Sequence, residues 1–230
     1  MSILKEGYPF IFPSFAAALP VVIVPVFLPI TPITIACFVL GSLLIIFALF
    51  CMFFFRDPKI TITQGDGIIL SPCNGTVMEI VEDAEASSDA EASEDTSGDE
   101  KVIRVFLSTF SVHLQRSPVS GTVVSVEHKN GKFLAAWDPR AHIENEQNIF
   151  TIQSDDTSGK DGIYTVRQIA GLVARRCVSW VKAGDVLKAG DKIGMIKFSS
   201  QIDIHLPKSM KINVKNGDKI RAGITVIATK

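Results

Sequence analysis

From Phe10 to Phe55 no charged residue interrupts the chain. Its second part, Ile33 to Phe55, is a run of 23 apolar or small residues without proline. At about 1.5 Å per residue, a helix of that length covers a hydrocarbon core of roughly 30 Å, so the pattern predicts a transmembrane helix. The first part, Phe10 to Ile30, is of similar length but holds Pro13, Pro20, Pro25 and Pro29, which predicts a kinked span or a re-entrant segment. Pro29-Ile30-Thr31-Pro32 marks a tight connection between them. The flanking cations are Lys5 on one side and Arg56 and Lys59 on the other. If both parts cross, both flanks lie on one face, and the positive-inside rule assigns them to the cytoplasmic face of the cell membrane. A cleaved signal peptide fits poorly, because the apolar stretch is about three times too long for an h-region. Residues 1–56 are thus read as a membrane anchor of one or two spans.

Past Arg56-Asp57-Pro58 the pattern changes to short β-branched and apolar runs bounded by Gly, Pro, Asn and Asp. Examples are Gly67–Ser71, Gly75–Val81, Val102–Leu107 and Gly121–Val126. These are strand and turn signals at the spacing of all-β packing, so residues 57–230 are expected to form a mainly β (α+β) domain. One stretch, Val166 to Val181, reads as a helix. Val181–Gly190 and Val214–Gly223 agree at six of ten positions, and each contains a Gly-Asp turn. Such an internal repeat suggests a pseudo-symmetric β-sandwich of the biotinyl/lipoyl type. The lysine-centred tripeptides Met-Lys-Met and Asp-Lys-Ala of those carriers do not occur in the chain, which argues against a carrier function.

The net charge of −1 conceals an asymmetry. Residues 82–100 carry nine acidic side chains and no basic one, which leaves 15 acidic against 23 basic side chains elsewhere. The acidic stretch is Ala, Ser, Asp and Glu with almost nothing to bury, and is read as a disordered insertion between two strands. The basic remainder suits an anionic surface or substrate; nothing in the sequence points to nucleic acid. Cys37, Cys51, Cys73 and Cys177 form no Cys-x-x-Cys and no metal-ligand spacing, which suggests a reducing compartment without disulfides or a metal.

Ser199-Ser200, at the end of the apolar run that follows Ile193, is the pair with the most chemical potential. A serine hydroxyl can attack the carbonyl of the preceding residue and convert the peptide to an ester. β-Elimination then cuts the chain and leaves a dehydroalanine, which hydrolyses to a pyruvoyl group. Serine pairs are common, and the surrounding motifs give this one its weight. They are Ser71-Pro-Cys-Asn-Gly75, Phe106-Leu-Ser-Thr-Phe-Ser-Val-His113, Leu114-Gln-Arg-Ser-Pro-Val-Ser-Gly121, Gly131-Lys-Phe133, Glu144-Asn-Glu-Gln147 and Gln168–Arg176. In this order, after Phe54-Phe55-Arg56-Asp57-Pro58, they resemble the phosphatidylserine decarboxylase family in its short bacterial and archaeal form, over about residues 50–207.

That resemblance implies a self-processing enzyme. Ser200 would be the pyruvoyl precursor and the Schiff-base site. Cleavage at Ser199/Ser200 would give a β chain of residues 1–199 and an α chain of residues 200–230, held together as a heterodimer, with dimers of these as the family's further habit. The substrate would be an anionic serine phospholipid in the membrane, phosphatidylserine or archaetidylserine, converted to the ethanolamine lipid and CO₂. The covalent pyruvate would be the electron sink, with no metal. His113 matches the family's histidine and would activate Ser200 and later move a proton. Arg175 and Arg176 would face the head group, whereas His128, His142 and His205 are read as ordinary polar positions. Asn74 stands where the family has an aspartate that works with the histidine, Ser199 where it usually has glycine, and Gln201 where arginine is frequent. These departures motivate the alternative of a catalytically impaired homologue that acts as a membrane-tethered lipid- or partner-binding module.

Overall fold

The computed structural model describes residues 2–82, 100–135, 137–156, 162–172, 176–197 and 200–230. They divide into two compact units, Met1–Lys59 and Ile60–Lys230. The acidic stretch of residues 82–100 therefore falls, from 83 to 99, outside the described residues.

In the first unit α1 (Tyr8–Val26) and α2 (Pro32–Phe54) form a packed pair. Both are long and apolar enough to cross a membrane. The segment with four prolines is mostly one helix, with Pro13, Pro20 and Pro25 inside it. The Ser14 hydroxyl donates back to the Phe10 carbonyl one turn earlier, at 2.7 Å. Thr31 and Thr34 close a capping box at the start of α2, where Pro32 takes the first helical position. Two short strands, β1 (Ser2–Ile3) and β2 (Arg56–Asp57), pair antiparallel and bring the flanks of the helical pair together.

The second unit is strand-rich. In chain order its strands are β3 (Ile68–Leu70), β4 (Gly75–Val81), β5 (Glu100–Leu107), β6 (Leu114–Arg116), β7 (Gly121–Lys129), β8 (Gln147–Ser154), β9 (Ile163–Ala170), β10 (Cys177–Ser179), β11 (Val186–Leu187), β12 (Lys192–Ile196), β13 (Ser200–Pro207), β14 (Lys211–Ile212), β15 (Lys219–Ile220) and β16 (Val226–Thr229). A curled antiparallel sheet runs β11-β7-β8-β9-β13-β5-β4-β15, accompanied by two three-stranded sheets, β10-β12-β6 and β14-β16-β3. The core is built from inward residues of all three, including Ile69, Val77, Val105, Val123, Phe150, Val166, Ile193, Ile204 and Ile227.

The helix expected over 166–181 is not there. Residues 163–170 form β9 and 177–179 form β10. The run alternates in burial from Ile163 to Gln168, with Tyr164, Val166 and Gln168 inward, so its real period is two. Gly171 then separates it from the next strand, which a helix reading ignored.

The internal repeat is larger than the sequence shows. Gly184 and Gly217 adopt φ of 89° and 90°, the left-handed region that glycine enters freely. Each donates its N–H to the bulged strand beside it, Gly184 to Val123 O and Gly217 to Val77 O, both at 2.8 Å. Asp185 and Asp218 close the two turns by accepting from Lys182 N and Lys215 N at 2.9 Å. The same correspondence relates Ser117-Pro118 to Ser71-Pro72, whose carbonyl-side partners are Gly190 and Gly223. The set β6 to β12 is thus matched by β3, β4, β5 and β13 to β16, about an axis between β9 and β13.

Candidate active site

Ser200 opens β13, between β5 and β9, and is fully buried. Side chains alternate along a strand, so Ser200 shares the core face with Ile202, Ile204 and Leu206. Its Oγ has no hydrogen-bond partner among the described residues. Buried hydroxyls are nearly always bonded, so this one stands out as a reactive-site candidate. In the ladder Ser200 lies opposite Leu107 on one side and Ala170 on the other. Ala170 donates its N–H to Glu146 O at 2.9 Å and accepts Asn145 Nδ2 at 2.7 Å, so its backbone polar groups face β8. The N–H and C=O of Ser200 are therefore directed at Leu107.

His113 sits just before β6, and its carbonyl accepts from Ile196 N–H at 3.3 Å, four residues short of Ser200. Its Nδ1 lies 3.0 Å from the Ser111 carbonyl. A carbonyl can only accept, so the neutral ring carries its hydrogen on Nδ1 and its lone pair on Nε2, the form suited to a general base.

Asn74 precedes β4, whose Thr76 pairs with Phe106. The start of β4 thus flanks the end of β5 on one side while Ser200 flanks it on the other. Asn74 is half-buried, and its side chain makes no hydrogen bond among the described residues. The fold brings Asn74, His113 and Ser200 to one end of β5, but no hydrogen bond joins Ser200 or Asn74 to the ring among the described residues. Ser199 and Arg175 lie outside the described residues. Arg176 is exposed just before β10, with its carbonyl accepting from Lys197 N–H at 3.3 Å.

A chain of amides runs beside this point. Gln168, on the core face with Ser200, donates from Nε2 to Gln115 Oε1 at 2.8 Å, and Asn148 Nδ2 donates to Gln168 Oε1 at 3.1 Å. His128 Nδ1 meets Asn148 Oδ1 at 2.8 Å. Gln115 and Gln168 are fully buried, and Gln115 Nε2 has no partner among the described residues. Gly194 makes room for the pair, since a Cβ there would fall 2.8 Å from Gln168 Nε2. These glutamines lie within the motifs quoted above, but a glutamine in a strand carries no signal of its partner. The Ser111 carbonyl is a backbone group and leaves no mark in the sequence at all.

The remaining histidines have structural surroundings. His205 Nδ1 is 2.9 Å from Glu100 Oε2, and that bond, ahead of the charge of Arg167, holds the Glu100 carboxyl below its ordinary range. Burial, followed by the Arg104 charge, lowers the pKa of His142. Burial pushes the Cys177 thiol up to about 12 and that of Cys73 higher still. Among the described residues no group of three His, Cys, Asp or Glu side chains is arranged to hold a metal ion.

Comparison with known proteins adds an independent line. The family model for phosphatidylserine decarboxylase matches residues 47–228. A phosphatidylserine decarboxylase proenzyme of Symbiobacterium thermophilum is 37% identical over 225 residues, 98% of this chain and 94% of its own. The protein of the same name from Carboxydothermus hydrogenoformans is 41% identical over 191 residues, 83% of this chain and 84% of its own. That of Geotalea uraniireducens is 37% identical over 228 residues, 98% and 95% of the two chains. With a family model covering most of its length and relatives matched nearly end to end, the chain belongs to the phosphatidylserine decarboxylase family, a family of carboxy-lyases.

Proposed function

We propose that this protein is a membrane-anchored, self-processing decarboxylase of a serine phospholipid, with Ser200 as the source of a covalent pyruvoyl group. The observation that carries the proposal is the Ser200 hydroxyl: fully buried, without a partner among the described residues, at the first position of a strand held on both sides. His113, with its lone pair on Nε2, is the group we assign to taking the Ser200 proton during self-cleavage and to moving a proton in turnover. The residues present fit a pyruvoyl group, because the Ser200 carbonyl is directed at the Leu107 N–H, where negative charge on that oxygen is stabilised. Such a group would supply an electrophilic carbonyl that takes the substrate amine and accepts the electrons released with CO₂. The apolar walls, with Leu107 and Ala170 opposite Ser200, exclude water from the reacting carboxylate.

The two apolar helices are assigned to anchoring the chain, with Lys5, Arg56 and Lys59 placing the body on the cytoplasmic face. The impaired-homologue alternative rested on Asn74, Ser199 and Gln201, and it is the part carried by Asn74 that the structure bears on. Its force is reduced, because the Ser111 carbonyl holds the His113 ring without help from Asn74. Intact-mass spectrometry of the purified protein tests the proposal. Two polypeptides, residues 1–199 and 200–230 with a blocked N-terminus on the shorter, are expected; a single uncut chain with an unmodified Ser200 would overturn it.

A further inference from the structure

Every exposed Phe, Tyr or Trp ring among the described residues of 60–230 belongs to one of three positions, Phe110, Phe133 and Trp137, at 71%, 36% and 68% exposure. Leu172 adds a fourth large apolar side chain at 61%. Isolated exposed apolar residues are ordinary, but these four trace to the same end of the sheet. Phe110 rides on the turn closed by Ser111 N–H to Ser108 O at 2.8 Å, directly after Leu107, one ladder partner of Ser200. Leu172 follows Ala170, the other partner, by two residues. Leu134, next to Phe133 and three residues before Trp137, is pinned to that same Ala170 through Asn145. Asn145 Nδ2 donates to Ala170 O at 2.7 Å and to Leu134 O at 2.9 Å, and its Oδ1 accepts from Leu134 N–H at 2.8 Å. Three separate loops therefore present apolar tips around the strand ends that hold Ser200.

We propose that Phe110, Phe133, Trp137 and Leu172 form a rim that enters the interfacial layer of a phospholipid bilayer, so that a serine lipid reaches Ser200 without leaving the membrane. The inference rests on the decarboxylase reading and deepens it. A lipid surface is favoured as occupant on two grounds. Trp and Phe at an exposed tip suit the headgroup–acyl boundary, and exposed Arg176, beside Lys197, supplies positive charge for anionic head groups.

The test uses the full chain reconstituted in vesicles of phosphatidylcholine and phosphatidylserine. Trp137 and Trp180 are the two tryptophans, so Trp180→Phe leaves one reporter. Brominated phosphatidylcholine is expected to quench Trp137, most strongly with bromines near the glycerol end of the tails. Unquenched emission overturns the proposal, as does shielding of Trp137 by a cross-linkable second copy. Phe110→Asp with Trp137→Asp is then expected to lower the ratio of decarboxylation rates on vesicle lipid and on a dispersed short-chain serine lipid by about tenfold or more. A ratio left unchanged also overturns it. Intact mass read on the same samples reports self-cleavage separately: an uncut parent defeats the enzyme reading, while the quenching result still decides the rim.

Discussion

Replacing Asn74 separates two accounts of how His113 is held. If the side chain at position 74 worked with the ring as an aspartate does in a Ser-His-Asp relay, the asparagine would favour the wrong tautomer. The corresponding swap in a serine protease costs about 10⁴ in rate, roughly 5.5 kcal/mol at 1.36 kcal/mol per decade. Asn74→Asp should then accelerate self-cleavage by a similar factor. The geometry argues otherwise. Nδ1 already has the Ser111 carbonyl at 3.0 Å, and Asn74 makes no hydrogen bond among the described residues. A hydrogen bond gained or lost here is worth about 0.5–1.5 kcal/mol if neutral and about 1.5–3 kcal/mol to a charged group, so Asn74→Ala should change the rate by no more than about tenfold and Asn74→Asp by no more than about a hundredfold. His113→Ala should slow it by about 10²–10⁴, the usual contribution of a general base. The assay is synthesis in a cell-free system with lipid vesicles, a chase, and first-order decay of the uncut chain on denaturing gels. An Asn74→Asp acceleration beyond a hundredfold, or loss of cleavage in Asn74→Ala, would refute the reasoning.

Three further outcomes follow from the same structure. Gln168→Leu strands the Asn148 amide and the Gln115 carbonyl oxygen, both buried, at about 1–3 kcal/mol each; urea unfolding in detergent should show a loss of about 2–6 kcal/mol, and under 1 kcal/mol would deny the network. Cys73 and Cys177, buried with raised pKa values, should resist maleimide at pH 8 until the protein is unfolded, as read by mass. The Glu100–His205 bond lowers the carboxyl pKa, so its stabilisation is present above the unfolded carboxylate value and is lost as pH falls through the lower folded one. Glu100→Gln should therefore flatten the acid limb of a stability–pH curve below about pH 4.5; an unchanged limb would rule the pair out.

What the sequence made legible follows from what each feature depends on. The helical pair was readable because uncharged length is a property of the run itself, and α1, packed along α2, is a helix despite its three internal prolines. Val166–Val181 misled because Val166, Ile169, Ala170 and Leu172 recur at helical spacing, while most of the alternation that marks the strand lies before Val166 or spans only to Gln168. Ser200 and His113 could be named as candidates through their motifs, whereas the pairing of Gln115 with Gln168 exists only once β6 and β9 have met.

The duplicated architecture is such that the proposed cut beside Ser200 would leave the sheet's pairing intact. In one half of the repeat β8 and β9 follow each other directly in the chain; in the other their counterparts, β5 and β13, do not. β13 is instead reached from β12, and it starts where the first half has a hairpin connection. All eight of its residues, Ser200 to Pro207, pair with β5, and six of them also pair with β9. The proposed scission removes none of these pairings. It leaves residues 200–230 as β13 to β16, one strand central to the large sheet, one at its edge and two in a small sheet with β3. The short fragment should therefore co-purify with residues 1–199 through high salt, which screens ions but leaves buried apolar contacts and ladder bonds in place, and separate only in denaturant. Release of residues 200–230 by salt alone would contradict a strand held on both sides.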